Sequence, residues 1–419
     1  MARQPTRGIH LSNLIELGCC DGSVSDAQRH AYLALLESTA RVPHKEINPG
    51  LDKVALKGYT PDAQAMSVAD VQRALKLLGF FPGGKDDGIC GYRTQSAIRL
   101  YQEYLYAVEG KKDCKPDGQF GPRSQAYLRE WLAADKRPHW AATVEQWQAG
   151  HVGGEYAQWL ALLERVKQHY LASPNRMLQK VNAFAGRTDT RKVADWDFAA
   201  AGNIHLIGIR RRQLQQKSDD VLVLLIKGLV FKFQGSTEPG SSATNEATGK
   251  PLDPPFLVQG QHHYHFGWHR KSYLALRPLS LGSGVLVVRS KDFVLDQADL
   301  DSPLEANATI NVHWGGRGFN AVGGWSHGCQ VISGSVYIDD LDQLRDCSAY
   351  AASLPDEPTK VVGKTRGASN LLLDLVTALG SDLGTTVKYT LLEESDLDLD
   401  QALKQTLDNA RQRLCKLIA

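Results

Sequence analysis

The sequence predicts an α+β protein with a helical first half and a β-rich second half. Capping residues followed by apolar residues at helical spacing recur before residue 195, whereas short apolar runs separated by Gly and Pro dominate 200–345. A chain of 419 residues is long enough for two or three domains. We divide it into an N-terminal helical extension (1–62), a small three-helix module (63–135), a helical connector (136–198) and a β-rich domain with C-terminal helices (199–419).

The composition argues against nucleic-acid binding and against a membrane span. The formal net charge is only +2 and the basic residues are spread along the chain, so we expect no nucleic-acid partner. The run Arg210-Arg211-Arg212 follows an apolar stretch and is typical of a solvated strand end. No continuous apolar stretch is long enough for a membrane span. Polar residues such as His10 interrupt the segment after the basic N-terminus, so we expect no secretory signal peptide.

The seven cysteines do not indicate a disulfide scaffold or a structural zinc site. They are few for 419 residues, and no Cys-x-x-Cys pair occurs. Cys90 and Cys114 lie in the same small module and could pair in an oxidising compartment. We expect neither a bound metal nor a cofactor.

The module at 63–135 contains an internal repeat and three expected helices. The run that starts at Asp87-Gly88 recurs thirty positions later from Asp117-Gly118. In each copy an Asp-Gly turn precedes a Thr or Ser that can cap a helix. We expect helices after Ser67, from Thr94 to about 107, and from Ser124 to about 134.

The other elements follow from apolar periodicity. Trp140, Trp147 and Trp159 recur with leucines at helical spacing, which predicts a connector whose aromatic stripe is core. We expect further helices at about 25–40, 369–379 and 399–418, and strands at 204–209, 221–226, 229–233, 284–289, 309–313 and 387–392.

The run from Trp325 to Cys329, Trp-Ser-His-Gly-Cys, with His313 upstream, is the strongest candidate for a catalytic site. A cysteine attacks as a thiolate, and an unperturbed thiol has a pKa of about 8.5. An imidazole within reach can take the thiol proton and stabilise the thiolate. Glycine beside the cysteine lets backbone N–H groups approach a developing oxyanion. One short segment could therefore supply a nucleophile, a base and an oxyanion hole.

A set of positions in the module at 63–135 matches a family pattern. The matched positions are Val71, Gln72, Leu75, Leu78, Gly79, Phe80, Phe81, Asp87, Gly88, Gly91, Thr94, Ala97, Tyr101 and Gln102. With these residues the module resembles the peptidoglycan-binding domain found on many cell-wall enzymes. The resemblance implies a shallow groove for the glycan and peptide of the wall. The alternative is an unrelated three-helix bundle.

The second half carries a more specific pattern. His313, the glycine-bearing loop after it and the run from Ser326 to Cys329 resemble the active-site signature of L,D-transpeptidases of the YkuD-like family. The resemblance is strong over about 305–335 and loose over 200–304. It implies that the β-rich domain is a catalytic domain that attacks peptidoglycan through a cysteine acyl-enzyme.

The resemblance also implies a role for each residue of the signature. Cys329 would attack the amide carbonyl between the third and fourth residues of a wall stem peptide. His313 would act as the base, oriented by the backbone carbonyl of Trp314. His327 and Gly328 would shape the oxyanion hole, with the N–H groups of Gly328 and Cys329 as donors.

Ser326 would hold the loop by side-chain hydrogen bonds. The acyl-enzyme would then pass to water, which makes the enzyme a carboxypeptidase, or to an amine, which makes it a transpeptidase or an exchange enzyme.

Two departures from the family bear on the substrate. Val331 stands where the family usually has Arg or Asn, after Gln330, and the loop from His313 to Ser326 is short and rich in Gly. These departures affect the choice of donor stem peptide and of the acceptor that receives it. They affect the attack by Cys329 less. The expected substrate-binding residues are Tyr264, His265, Gly315, Gly316, Trp325 and Gln330.

A histidine-rich run from His262 to His269 permits a second interpretation. On a strand, His263, His265 and His269 share one face, and histidines so placed can bind zinc. No acidic or cysteine partner accompanies them at a familiar spacing. An aromatic strand that lines the cleft is therefore the favoured interpretation.

The favoured function is a peptidoglycan enzyme that is exported as an antibacterial effector, for example by type VI secretion. Its expected partners are the stem peptides and glycan of the wall, a secretion machinery and a neutralising immunity protein. It would be made in the cytoplasm without a secretory signal and act in the periplasm of a target cell. The alternatives are a phage-type lysin, another thiol peptidoglycan endopeptidase, and a non-catalytic wall-binding protein.

Overall fold

The computed structural model describes residues 13–40, 54–211, 218–240, 253–269, 273–279, 283–316, 326–350 and 367–416. Helices and strands are both present in these ranges, so the protein belongs to the α+β class that the sequence predicts. Among the helices of these ranges, none combines the length and the apolar character needed to cross a membrane.

The described helices lie mainly in the first half of the chain, and the strands mainly in the second. The helices are α1 (Asp26–Ala40), α2 (Val68–Leu77), α3 (Tyr92–Glu103), α4 (Pro122–Ala133), α5 (Ala141–Gln148), α6 (Gly154–Ala172), α7 (Arg176–Ala183), α8 (Gly367–Leu379) and α9 (Gln401–Lys416). The strands are β1 (Cys19–Asp21), β2 (Lys57–Tyr59), β3 (Ile204–Arg210), β4 (Asp220–Ile226), β5 (Leu229–Ser236), β6 (Pro255–Leu257), β7 (Gly260–His269), β8 (Tyr273–Pro278), β9 (Val285–Arg289), β10 (Glu305–Asn307), β11 (Val312–Trp314), β12 (Gln330–Ile338), β13 (Leu344–Asp346) and β14 (Val387–Glu393).

Eight of these strands form a closed sheet. Their order is β11-β8-β7-β14-β3-β4-β5-β12, and β11 also pairs with β12, which closes the ring. The β14–β3 and β11–β12 pairs are parallel, whereas the other neighbours in the ring are antiparallel. Closure brings β11, which contains His313, beside β12, which begins directly after Cys329.

Strand β4 shows why apolar runs in this region are continuous rather than alternating. Leu222 and Leu224 belong to a cluster that includes residues of α3 and α8. Val221 and Val223 belong to a second cluster, which includes residues of α6 and α9. Because helices cover both faces of the strand, both sets of alternate positions are apolar.

Helix α8 connects the closed sheet to the helical first half. It is buried at every residue and contacts β4, β8, β11 and β12. Since β4 and β8 lie on opposite sides of the ring, α8 packs against the inner face of the closed sheet. Its Asp374 accepts hydrogen bonds from Nε and Nη2 of Arg99 on α3, at 2.6 and 2.7 Å. The two halves therefore share a buried ion pair as well as apolar contacts.

The repeat in the module forms a duplicated hydrogen-bond network. The side-chain amide of Gln72 donates to Asp87, to Thr94 and to the carbonyl of residue 89, and its oxygen accepts from the N–H of Gly88. Gln102 makes the same four contacts thirty positions later along the chain. Each glutamine thus ties one helix to the following turn and to the start of the next helix.

Helices α3 and α4 begin earlier than the sequence predicts. Their N-caps are Gly91 and Gly121, neither of which makes a side-chain capping hydrogen bond. Thr94 and Ser124, the expected caps, instead accept hydrogen bonds from the two glutamines of the repeat. Pro122 starts α4, a position where its fixed φ suits the helix and its missing N–H costs nothing.

Candidate active site

Strand pairing brings His313 and Cys329 together. β11 and β12 run parallel, with Val312 opposite Gln330 and His313 opposite Val331. Cys329 directly precedes β12, so its side chain comes beside β11. The two residues of the signature thus meet at the closure of the ring.

His313 is buried, and one side of its ring is fixed by hydrogen bonds. Nδ1 lies 2.7 Å from the carbonyl oxygen of Trp314 and 2.9 Å from the hydroxyl of Tyr273. A carbonyl oxygen can only accept, so Nδ1 carries the proton and Nε2 carries the lone pair. This is the tautomer that a base needs when Nε2 receives a proton.

Cys329 is nearly enclosed, with 7% of its surface exposed. Its thiol can donate to the carbonyl of Thr309 at 3.4 Å, and Sγ accepts from the N–H of Asn311 at 3.3 Å. The N–H donor favours the thiolate because it stabilises the negative charge. Sγ lies within 4.8 Å of a ring nitrogen of His313, and distances between nucleophile and base are often longer than a hydrogen bond when no substrate is bound. Residues 309–311, predicted as strand, instead lie against the thiol, and β11 begins only at Val312.

The turn before Cys329 requires glycine at Gly328. Its φ is +116°, and a Cβ there would lie 2.4 Å from the carbonyl oxygen of Pro255. Ser326 Oγ donates to the Cys329 carbonyl at 2.7 Å and accepts from the N–H of Gly328 at 3.1 Å. That N–H therefore points into the turn, which corrects the expectation that it faces the oxyanion. His327 lies partly buried on the same turn.

A second imidazole, that of His269, lies beside the thiol. Its ring stacks on that of His313, with centroids 3.9 Å apart and an interplanar angle of 26°. The donor atoms of His269, His313 and Cys329 all lie within 4.8 Å of one another. His269 ends β7 and reaches the site only through the strand order β7-β8-β11. The histidine-rich run in the sequence contains His269, but strand periodicity grouped this residue with His263 and His265 rather than with Cys329.

His263 and His265 do not belong to the group at the thiol. Among the described residues, one set of three or more His, Cys, Asp or Glu side chains has its ligand atoms close enough together to hold a metal ion. This is the set at Cys329, and it includes neither of the two histidines. Burial lowers the pKa of each to about 4. Both rings are therefore neutral at physiological pH.

Of the expected substrate-binding side chains, those of Tyr264 and Gln330 lie in the interior, which corrects their assignment, whereas the role of His265 stays a prediction. Tyr264 is fully buried and packs edge-on against Tyr389, with ring centroids 5.8 Å apart. Gln330 is also fully buried and accepts a hydrogen bond from the Tyr389 hydroxyl at 2.8 Å. His265 is only 8% exposed. The strands that carry these residues are covered on both faces, so alternation does not place either face in an open cleft.

The glycines after Trp314 pack against β12. The N–H of Gly315 donates to the Ile332 carbonyl at 2.8 Å, and the Gly316 carbonyl accepts from the N–H of Gly334 at 3.1 Å. A Cβ on Gly315 would lie 2.6 Å from the Cβ of Val331, so the close approach of the strands explains this glycine. Trp325, the remaining expected contact, lies outside the described residues.

The arrangement contains the groups that nucleophilic acyl transfer requires. It combines a thiol, a backbone N–H that stabilises the thiolate, and an imidazole in the tautomer of a base. Comparisons of the chain with protein-family models, with curated proteins and with solved structures found no match.

Proposed function

We propose that the chain is a peptidoglycan enzyme in which Cys329 forms an acyl-enzyme with a wall stem peptide. The observation that carries the proposal is the pairing of Cys329 with His313, whose ring is fixed by the Trp314 carbonyl. The resemblance of the His313 and Ser326–Cys329 signature to L,D-transpeptidases selects this substrate over other amides. The proposed activity is that of an L,D-carboxypeptidase, an L,D-transpeptidase or an amino-acid exchange enzyme.

The proposed reaction has two steps, which are formation of the acyl-enzyme and its release. His313 Nε2 takes the proton of Cys329, and the thiolate attacks the carbonyl between the third and fourth stem residues. The amide C–N bond breaks, and the imidazolium returns the proton to the departing D-amino acid. Water or an amine then attacks the thioester, gives up a proton to His313 and releases Cys329, whose thiol regains that proton.

The position of Gln330 bears on the second step. Its side chain contacts the Tyr389 hydroxyl and the Thr237 carbonyl in the interior, and so offers no contact to an incoming acceptor. We favour acceptors that need few protein contacts, which are water and a free D-amino acid, over a second stem peptide.

Wall binding by the module at 63–135 is part of the proposal. The support is the match to the peptidoglycan-binding pattern together with the duplicated Gln72 and Gln102 network. Helix α3 is buried at every residue except Arg93, so a wall ligand would lie on the outer surfaces of α2 and α4. The full chain, as wild type and as Cys329→Ala, is expected to sediment with purified sacculi. If both stay in the supernatant, the module has no wall-binding role.

Mass spectrometry of muropeptides tests the enzymatic proposal. Wild-type protein is expected to convert tetrapeptides into tripeptides, or to exchange their terminal residue when a D-amino acid is added. Cys329→Ala should leave the muropeptides unchanged, while Cys415→Ala, which removes the one partly exposed thiol, should match wild type. An unchanged profile with wild-type protein would overturn the proposal. New cross-links between third residues would identify a transpeptidase.

The proposed biological setting is delivery into the periplasm of a rival bacterium, with an immunity protein in the producing cell. The support is chemical, because removal of stem residues takes away the donors that wall cross-linking uses. Expression with a periplasmic targeting sequence is expected to be toxic for wild type and harmless for Cys329→Ala. Equal growth of both strains would argue against an effector role.

A further inference from the structure

Three side chains at the candidate site bring possible metal-ligand atoms close together. Those of His269, His313 and Cys329 lie within 4.8 Å of one another. In a tetrahedral zinc site, bond lengths of about 2.0–2.3 Å place neighbouring ligand atoms roughly 3.5 Å apart. The separations here are at most somewhat longer than this, and side-chain rotations that separate the stacked rings of His269 and His313 would bring all three atoms to ligand distance.

Hydrogen bonds fix the two imidazole rings in the way that is usual for metal-binding histidines. Such histidines donate one ring N–H to a protein acceptor, which fixes the ring and directs the other nitrogen to the metal. His313 donates from Nδ1 to the Trp314 carbonyl, so Nε2 carries the lone pair that a metal ion would accept.

Asn311 completes the same arrangement for His269. Nδ1 of His269 lies 3.0 Å from the side-chain amide of Asn311. With the amide nitrogen toward the ring, Oδ1 of Asn311 is buried without a hydrogen-bond partner among the described residues. With the amide turned by half a rotation, Oδ1 accepts from Nδ1–H of His269, and the buried oxygen is satisfied. Nε2 of His269 then carries the lone pair.

The donor set determines the class of cation. Two neutral imidazoles and one thiolate suit zinc and similar thiophilic cations, whereas magnesium and calcium require oxygen ligands. The backbone N–H of Asn311 contacts Sγ of Cys329 and stabilises its thiolate form. Three protein ligands leave a fourth position for water.

We propose that His269, His313 and Cys329 form a binding site for a zinc ion, which locks the nucleophile reversibly. The Cys329 thiol loses its proton to solvent when the Zn–S bond forms, and Nε2 of each histidine supplies one further bond. The metal occupies the lone pairs that acyl transfer would use, so zinc and substrate exclude each other. Only this last consequence rests on the proposed function.

Cobalt titration of the chelator-treated full chain tests the site. Wild-type protein is expected to develop a thiolate-to-cobalt charge-transfer band together with the intense visible bands of tetrahedral cobalt, and zinc should displace both. Cys329→Ser should lose the charge-transfer band. His269→Gln should weaken zinc binding at least tenfold, and Asn311→Ala by about 10–100-fold, as expected for a supporting residue. His263→Gln, on the same strand but outside the group, should bind as wild type does.

Three outcomes would overturn the site: no charge-transfer band in wild type, a band that persists in Cys329→Ser, or equal zinc affinity in His269→Gln and wild type. Thermal unfolding provides a second readout, since zinc should raise the Tm of wild type but not of folded Cys329→Ser. These measurements use no wall substrate. Zinc binding without muropeptide turnover would therefore reject the proposed function alone, and turnover that is insensitive to zinc at saturating occupancy would reject the lock.

Discussion

At the scale of single residues, the environment of Cys329 differs from that of the other cysteines. The described contacts of Cys329 include a backbone N–H donor and two imidazoles. Burial instead raises the pKa of the other thiols, which are Cys19, Cys20, Cys90, Cys114, Cys347 and Cys415. Cys329 therefore has two imidazoles nearby that can support a thiolate, an arrangement that the described residues give to none of the other six thiols.

We predict that iodoacetamide at neutral pH alkylates Cys329 far faster than the other six cysteines, because the thiolate is the reactive form. Peptide mass spectrometry over time measures the rate at each site. His313→Ala should slow labelling of Cys329, while the rates at the other cysteines stay as in wild type. Uniform labelling of all seven thiols would contradict this prediction.

Glu103 on α3 is a buried acid that makes stability depend on pH. Burial first, and then the charge of Asp346, raises its pKa to about 8 from an ordinary value of 4.5. Neither carboxyl oxygen has a hydrogen-bond partner among the described residues. The folded state holds this proton more tightly than the unfolded state. Its stabilising effect is therefore complete below about pH 4.5 and is lost as the pH rises to about 8.

We predict that Glu103→Gln flattens the fall in unfolding free energy over this pH range, because the amide cannot ionise. Chemical denaturation at several pH values measures the slope. Glu130→Gln, an exposed position on α4, is the matched control and should keep the wild-type slope. Identical slopes in Glu103→Gln and wild type would show that Glu103 is ionised in the folded protein.

Sequence patterns predicted residues whose chemistry is local, and missed those whose role depends on closure of the sheet. His313 and Cys329 could be named because a compact signature contains them. His269 could not be assigned, since only the pairing of β7 with β8 and of β8 with β11 brings it to the thiol. Arg210, predicted as a solvated strand end, is 1% exposed and donates to the Leu257 carbonyl at 2.9 Å. Strand β6 covers it.

At the scale of elements, the packing of α3 on α8 depends on a buried ion pair. Arg99 and Asp374 are 1% and 2% exposed, and Asp374 also accepts from Ser96 and Tyr350. Removal of one partner leaves the other charge in the interior. The exposed pair Arg73 and Asp70 on α2 provides a comparison in which water solvates whatever remains.

We predict that Arg99→Met lowers the unfolding free energy by about 3–5 kcal/mol, because it leaves the Asp374 carboxylate buried without its positively charged partner. Arg73→Met should cost at most about 1 kcal/mol. Urea denaturation followed by circular dichroism compares the two variants. Equal small losses would mean that water reaches Asp374 in the folded protein.

Element boundaries also show where sequence reasoning was sufficient. The strand at Val387–Glu393 and the helix at Gly367–Leu379 follow the predicted ranges, since long apolar runs specify them. Thr94 and Ser124 have the right chemistry for caps, yet the glutamines of the repeat engage their hydroxyls instead. At both positions a hydrogen bond from a glutamine far along the chain replaces the local capping bond. Residue propensities read from one sequence contain no information on such long-range partners.

At the scale of the whole molecule, one apolar cluster joins the helical half to the sheet. It contains Phe80 and Trp131 from the first half and Leu224, Leu372 and Tyr389 from the second. The division into domains stays a prediction, since it was drawn from local composition, which carries no information on shared burial.

We predict a single cooperative unfolding transition, with coincident midpoints by tryptophan fluorescence and far-ultraviolet circular dichroism. Limited proteolysis should not release a stable fragment spanning 63–135, because its helix α3 is covered by α8 in the intact protein. Two separated transitions, or a resistant fragment of that size, would show that the first half is independent of the sheet.

The distance along the chain between Arg99 and Asp374 has a consequence for biosynthesis. The two residues are separated by 275 positions. During translation, α3 leaves the ribosome long before the helix that will cover it has been made. The nascent chain therefore carries an uncovered apolar face and an unpaired arginine for most of its synthesis, and such a surface is prone to aggregation. Completion of the fold waits for α8 to emerge, so a chain whose synthesis stops before residue 374 cannot bury Arg99 against its partner.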